Sequence, residues 1–516
     1  MAVVGIALVT ARTAGATTYQ VGPTRTYKTF SAVPTLRPGD IVEVDGAATY
    51  PPVVFSDSGT TAQKITVRGI PVGGQRPIIS GGSNTVEVQA DHFVLDGFDI
   101  TGGSARCFFH HADDVTLRNS VVHDCPQQGI LGADADSGSL TMEYDEVYRC
   151  APPGSMLQHQ IYMATDEVAH PGSVFRMQFC YVHDGLGGNN VKSRAERNEI
   201  YYNWIEGGYY RELELIGPDL ADSSATESTA REDSDVVGNV LRKTGTNAAF
   251  FVARLGGDGA GQTNGRYRFV NNTIIVTSTS AVFQLFDGIE SIEMHDNVFY
   301  RAGGGGVRVL DDSSVVWSTG SAAIAGVDNW TMSGSTSVPT QWIGTMTGAD
   351  PVWVAPILDL RPGAGSPLID AGVTPPPTMA SHPFPSPLAT PAFVPSPALL
   401  PVGSAVPRPT NGPIDVGAFE VGTLLGGSGG SSGAAGAGGG AGAGGAGGSS
   451  GTGGSSGVGG LSDTGGSSGA GGSTGGGASG SCSCAASSSG GQSVGGVLMV
   501  LALVITSRHR RARSRR

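Results

Sequence analysis

The sequence predicts an all-β solenoid, a β-helix of short stacked strands, and two observations carry that prediction. A strand-like phrase recurs eight times between Phe93 and Arg301, with apolar centres at Leu95, Leu117, Met142, Met177, Ile200, Val237, Phe269 and Met294, 22 to 37 residues apart. A single strand of this length cannot bury its own apolar face, so successive copies must stack. The copies are rich in β-branched and aromatic residues and punctuated by Gly and Asn, which favours coils of strand over an array of helices.

The elements follow in chain order. Residues 1–16 join the apolar run Ala2–Val9 to the small-residue pattern Ala14-Gly15-Ala16 and resemble a secretory signal, although no Lys or Arg precedes the run. Residues 17–424 hold the solenoid. It opens on Tyr19-Gln-Val-Gly and Leu36-Arg-Pro-Gly-Asp40-Ile-Val-Glu-Val, and residues 331–424 form a closing segment. Within that segment Pro375–Pro413 is Pro-rich and reads as extended chain, packed on the last coil or loose on the surface. End covers are expected because terminal coils expose unpaired strand edges.

Residues 425–481 are almost only Gly, Ser, Ala and Thr, which cannot bury a core and behave as a disordered tether. Residues 482–516 carry Cys482-Ser-Cys484, the apolar run Val494–Ile505 and an Arg cluster ending at Arg516. The apolar run is short of the roughly 20 residues a permanent membrane helix needs. The three parts together resemble the sorting tails of exported myxobacterial surface proteins. That resemblance implies export, display at the cell surface or outer envelope, contact with the membrane and sorting machinery through the tail, and retention or release after processing. The net charge of −13, with no basic stripe, argues against nucleic acid as a partner, and the solenoid reads as a monomer.

Cys125 and Cys150 close the same phrase in consecutive repeats. Equivalent positions of stacked coils lie about 4.8 Å apart, inside disulfide range, so a Cys125–Cys150 bridge is expected, with two stacked free thiols as the alternative.

Each coil also carries a second strand, and here the candidate chemistry gathers. Period-two alternation sends Ile130, Ile161, Val191 and Leu213 inward. One outward column is then Gly129, Gln160, Asn190 and Glu212, and beside it run Leu131, Tyr162, Lys192 and Glu214, with Arg194 beyond. A one-residue slip would reverse every one of these side chains. Arg211 falls inward on the same count. The longest spacings, including Pro218–Asp233 and Gly256–Asn264, place loops beside these strands, where binding sites are usually built. His110, His111, His159 and His183 lack ligand spacing and read as core or turn residues.

The opening coil with its Pro-Gly-Asp turn, and the closing phrases Ser366-Pro-Leu-Ile-Asp370-Ala-Gly and Ile414-Asp-Val-Gly-Ala-Phe-Glu420, resemble exported right-handed parallel β-helix proteins of the pectate-lyase-like superfamily. The resemblance runs from about Tyr19 to Glu420. Within it, Asn189-Asn-Val-Lys192-Ser-Arg194 … Asn198 … Asn203 resembles the Lys-Ser … Asn … Asn segment of the polysaccharide lyases related to chondroitinase B and the alginate lyases. That resemblance implies β-elimination on a uronic-acid polymer with Lys192 as base, and Ca²⁺ as the cofactor that neutralises the carboxylate. Arg194, on the same face, would lower the lysine's proton affinity, and Tyr162 would share the proton transfer. Gln160, Asn190, Trp204, Tyr209 and Tyr210 are the expected substrate contacts, and Glu212 and Glu214 the oxygen ligands for a metal.

Three further readings compete. Lys192 and Glu214 form only an ion pair between coils; Glu212 and Glu214 act as an inverting glycosidase pair; or the rod is a non-enzymatic adhesin or carbohydrate-binding protein. From Gly187 to Val270 ten Lys and Arg face twelve Asp and Glu, so no basic groove is expected.

Overall fold

A computed structural model describes residues 15–423, apart from 134, 218–230, 245–250, 259–262, 278–280, 312–315, 356 and 411. Most of the signal-like run, the Gly/Ser tether and the C-terminal tail with Cys482 and Cys484 lie outside the described residues. Among the described residues no helix is long and apolar enough to cross a membrane.

The chain winds into a right-handed parallel β-helix. Its coils stack three parallel sheets of thirteen, twelve and ten strands, and a small antiparallel pair, Trp353–Ala355 with Asp359–Pro362, follows. The expected ladder forms the thirteen-stranded sheet, with Val67, Leu95, Leu117, Met142, Met177 and Ile200 stacked in register. One rung differs from expectation. Ile200 lies beside Val236, not Val237, and Val236 in turn beside Phe269. Val237 faces outward into a small apolar cluster with Tyr201, Tyr202 and Val270.

The corner between the first and second strands of each coil explains the Asn punctuation. Tyr202, Gly238, Asn271, Asp296 and Asp328 stand there with positive φ, a conformation that only surrounding structure can impose on a bulky residue such as Tyr202. The next residue supplies that support. Asn203, Asn239, Asn272, Asn297 and Asn329 stack as a buried ladder, each amide donating to the Oδ1 of the next at 2.9–3.1 Å. Each Asn from Asn239 onward also accepts the backbone N–H of the previous one, as Asn239 Oδ1 does from Asn203 N at 2.8 Å. Asn203 therefore sits in a structural ladder. Asn198 is buried separately, its amide donating to Ser234 Oγ at 3.1 Å.

The core is closed at its first coil by Phe30, which meets Phe55, Tyr50 and Phe98 at centroid distances of 5.5 to 6.4 Å. The closing segment runs back along the flank of the coils. Phe384 lies 3.6 Å from the Arg268 guanidinium, and the Tyr202 hydroxyl is engaged by Thr390 O and Ala392 N. Trp204, expected as a sugar platform, is buried beneath this segment with its ring 6.4 Å from Phe419. It is a packing residue.

The cysteines also differ from expectation. Cys107, on the strand Arg106–His110, bonds to Cys125 in the corner of the next coil, across 18 residues, while Cys150 and Cys180 are buried free thiols. Stacking does bring equivalent positions near each other, but Cys107, at a non-equivalent position of the preceding coil, competes for the same sulfur.

Candidate functional site

The ten-stranded sheet carries the candidate residues, and its register is the one the alternation predicts. Ile130, Ile161, Val191 and Leu213 are in line and fully buried. Their outward neighbours form a continuous column: Leu131, Tyr162, Lys192, Glu214, Arg254, Gln284 and Asp311. Arg194 pairs with Ala164 at the far end of the strand Val191–Arg194.

The other expected column is not a surface. Gln160, Asn190 and Glu212 are each 0% exposed. They form a sealed polar chain at a coil corner: Gln160 Nε2 donates to Asn190 Oδ1 at 2.7 Å, and Asn190 Nδ2 to Glu212 Oε2 at 2.6 Å. Glu212 also accepts from Gly208 N at 3.0 Å and lies 3.5 Å from the buried Lys243 ammonium. Alternation expected these side chains outward, but they stand in line with the core residue Cys107 and turn into the corner. They touch protein, not substrate.

Glu214 is almost fully buried, and its oxygens are taken. Oε1 lies 2.9 Å from Arg254 Nη1 and 3.3 Å from Arg211 Nη1, and Oε2 accepts from the Asn189 side chain. Arg211 therefore reaches the outer face, where it also donates to Gln284 Oε1 at 2.6 Å. Glu212 and Glu214 thus serve separate networks. They fit neither a Ca²⁺ site, where arginine already fills the ligand positions, nor a facing pair of glycosidase carboxylates. Among the described residues no group of three His, Cys, Asp or Glu could hold a metal ion.

Lys192 is the unusual member. It is half-buried, its ammonium stands 4.6 Å above the Tyr162 ring, and no ion pair joins it to a described carboxylate. The competing reading, a Lys192–Glu214 ion pair, does not form; Arg211 and Arg254 occupy that carboxylate instead. Burial pushes the Lys192 amine below its ordinary value; Glu214 opposes this and Arg194 adds to it. Arg194 is itself fixed, donating from Nε to the Tyr162 hydroxyl at 2.9 Å, from Nη1 to Gly217 O at 2.5 Å, and to Asp258. Arg254 also holds Asp258, at 2.7 Å.

Lys192, Arg194, Arg211 and Arg254 thus surround two described carboxylates, Glu214 and Asp258. The segment count averaged over residues the fold sends elsewhere, such as Asp233 and Asp235 with their partners Arg197, Arg266 and Arg268 on the thirteen-stranded sheet. Tyr209 and Tyr210 are half-buried at the neighbouring corner, with Arg211 stacked 4.0 Å over the Tyr210 ring.

The sequence reading missed Asn189, Arg254 and Asp258, and set His159 aside. Arg254 had a usable signal, since it follows the apolar run Phe250-Phe-Val-Ala one coil after Glu214. Asp258 had none, because it enters from a loop.

No family model matches the chain, and no curated protein matches it. Among solved structures it is similar to pectate lyase Pel9A, at 15% identity and TM-score 0.48, over 79% of this chain and 97% of that one. It is similar to an alginate lyase from Paenibacillus sp. str. FPU-7, at 16% identity and TM-score 0.40, over 58% and 98%. It is also similar to a GH136 lacto-N-biosidase from Eubacterium ramulus, at 12% identity and TM-score 0.39, over 65% and 68%. At these identities the likeness is one of fold, and no residue role is carried over from it.

Proposed function

We propose that the protein acts on polysaccharide, and that the outer face of the ten-stranded sheet performs β-elimination on a uronate unit with Lys192 as base. The observation that carries this reading is the Lys192 ammonium: half-buried, seated on the Tyr162 ring, beside Arg194, and unclaimed by any described carboxylate. A base must be unprotonated part of the time near neutral pH, and a buried lysine among arginines meets that need where a salt-bridged one would not.

In this reaction Lys192 takes the proton beside the uronate carboxylate. The electron pair forms a carbon–carbon double bond as the bond to the glycosidic oxygen breaks, and that oxygen receives a proton from the Tyr162 hydroxyl or the newly formed ammonium. The positive surroundings lower the energy of the charge developing on the carboxylate. Export and display at the cell surface, expected from the two ends of the chain, belong to the same proposal.

A second reading keeps the polysaccharide and drops the chemistry. Arg194, Arg211 and Arg254 are all engaged with Asp258 or Glu214, which suits a fixed binding face as well as a catalytic one. The full chain incubated with a panel of uronate polymers separates the two. The lyase reading expects new ultraviolet absorbance from unsaturated uronates, reduced about 10²–10⁴-fold by Lys192→Gln. Binding without absorbance across the panel would leave the adhesin.

A further inference from the structure

His159 is a buried titratable group that the proposed chemistry does not use, and its surroundings are built with care. The ring is 3% exposed, and its Nδ1 accepts the backbone N–H of Asn189 at 2.9 Å, which places the ring proton on Nε2. The approach depends on Gly188. That residue has φ +56°, and a Cβ there would meet Gln158 O at 1.8 Å and His159 Nδ1 at 2.5 Å. On its other side the ring stands at right angles to Tyr162, with centroids 5.6 Å apart. Tyr162 in turn lies under the Lys192 ammonium at 4.6 Å, while its hydroxyl is held by Arg194.

We propose that His159 is a positioning residue for Lys192: pinned by the Asn189 amide, its ring braces Tyr162 so that the phenol ring forms a fixed shelf beneath the lysine ammonium. The consequence for catalysis rests on the reading of Lys192 as base, but the shelf itself does not. Burial holds the His159 imidazole at about 3, so it stays neutral and adds no charge beside Lys192 at working pH. Its contribution is shape. The charged groups that act on Lys192 are Glu214, Arg194, Asp258 and Arg254, of which Arg194 also holds the Tyr162 hydroxyl.

The test is a titration of the full chain. Its only lysines are Lys28, Lys64, Lys192 and Lys243, so isotope labelling at lysine side chains gives four signals to assign by substitution. His159→Phe keeps a ring but loses the acceptor; His159→Gln keeps an acceptor but loses the ring. Each frees Tyr162 and opens Lys192 to water, and the Lys192 titration should rise by about one pH unit toward the ordinary lysine value. Lys28 and Lys64 should not move. Tyr162→Ala, at a half-buried site, removes the shelf without touching the buried histidine and should shift Lys192 in the same direction, which keeps the test alive if a His159 variant misfolds. A purely structural histidine would lower the melting temperature and leave Lys192 where it was, and that result overturns the proposal. Absence of lyase activity in every variant would count against the catalytic reading alone.

Discussion

Glu214 offers the sharpest perturbation, because its role in the network is opposite to the one a metal ligand would have. In Glu214→Gln the carboxylate that holds Arg254 at 2.9 Å and Arg211 at 3.3 Å becomes neutral. Arg254 keeps Asp258, but Arg211, 3% exposed, is left with Gln284 and the Tyr210 hydroxyl. Breaking one side of a buried ion pair typically costs about 3–5 kcal/mol. Arg254 keeps a partner and Gln still accepts hydrogen bonds, so we expect about 2–3 kcal/mol here. Lys192 should respond as well. Lys192 and Glu214 face each other on adjacent strands; unit charges at roughly the inter-strand spacing of about 5 Å and an effective dielectric near 20 interact by roughly 3 kcal/mol, and solvent screening of the half-buried lysine reduces that to about 1–1.5 kcal/mol, or about one pH unit. Removing the negative charge disfavours the ammonium, so the Lys192 titration moves down. Urea denaturation and lysine-detected titration measure the two effects. A Glu214→Gln protein as stable as the parent, or one whose Lys192 titrates higher, would falsify the network as drawn. The folded Glu214 carboxyl is held below its ordinary value by Lys192, Arg211 and Arg254 against burial. Its stabilisation is therefore present above about pH 4.5 and lost as pH falls through the lower folded value.

Two other predictions concern the scaffold. His123 and His183 stack on either side of Tyr148 at 5.0 Å, each between two carboxylates, Asp99 with Asp124 and Glu146 with Asp184. Hydrogen bonds to those carboxylates raise both imidazoles against burial. Their stabilisation is complete below about pH 6.5 and is lost as pH rises through the higher folded values; in His123→Gln the fall in melting temperature over that window should shrink. For the cysteines, peptide mapping without reduction should recover a Cys107–Cys125 link with Cys150 unmodified, and Cys107→Ser should cost about 3 kcal/mol for a closed loop of 18 residues. A Cys125–Cys150 peptide would refute the assignment.

How far the site was legible depended on which physical rule each residue obeyed. Strand alternation is a local property with a period of two, so it placed Ile161, Val191 and Leu213 inside, and Tyr162, Lys192 and Glu214 in one outward row. Being on the outer side of a sheet is not the same as being in water. Gln160, Asn190 and Glu212 departed from the alternation, buried at the corner beside Ile161, Val191 and Leu213; Trp204 was covered by a closing segment more than 150 residues further on, as its contact with Phe419 shows. The sequence spacing of such a cover has no period, so nothing local announces it. Lys192 shows the same limit for charge. Its neighbour in the column is the acid that should have claimed it, and only the arrival of Arg211 and Arg254 from other positions decided otherwise.

By itself, then, the chain determined its coil: a recurring apolar strand must stack, and from Asn203 to Asn329 the Asn at successive corners pair with one another. The tertiary structure alone decided which outward groups meet solvent, which sulfurs join, and which cations share Glu214. Those outcomes are contests between groups distant in sequence, and geometry settles them only once the coils are closed and their covers are in place.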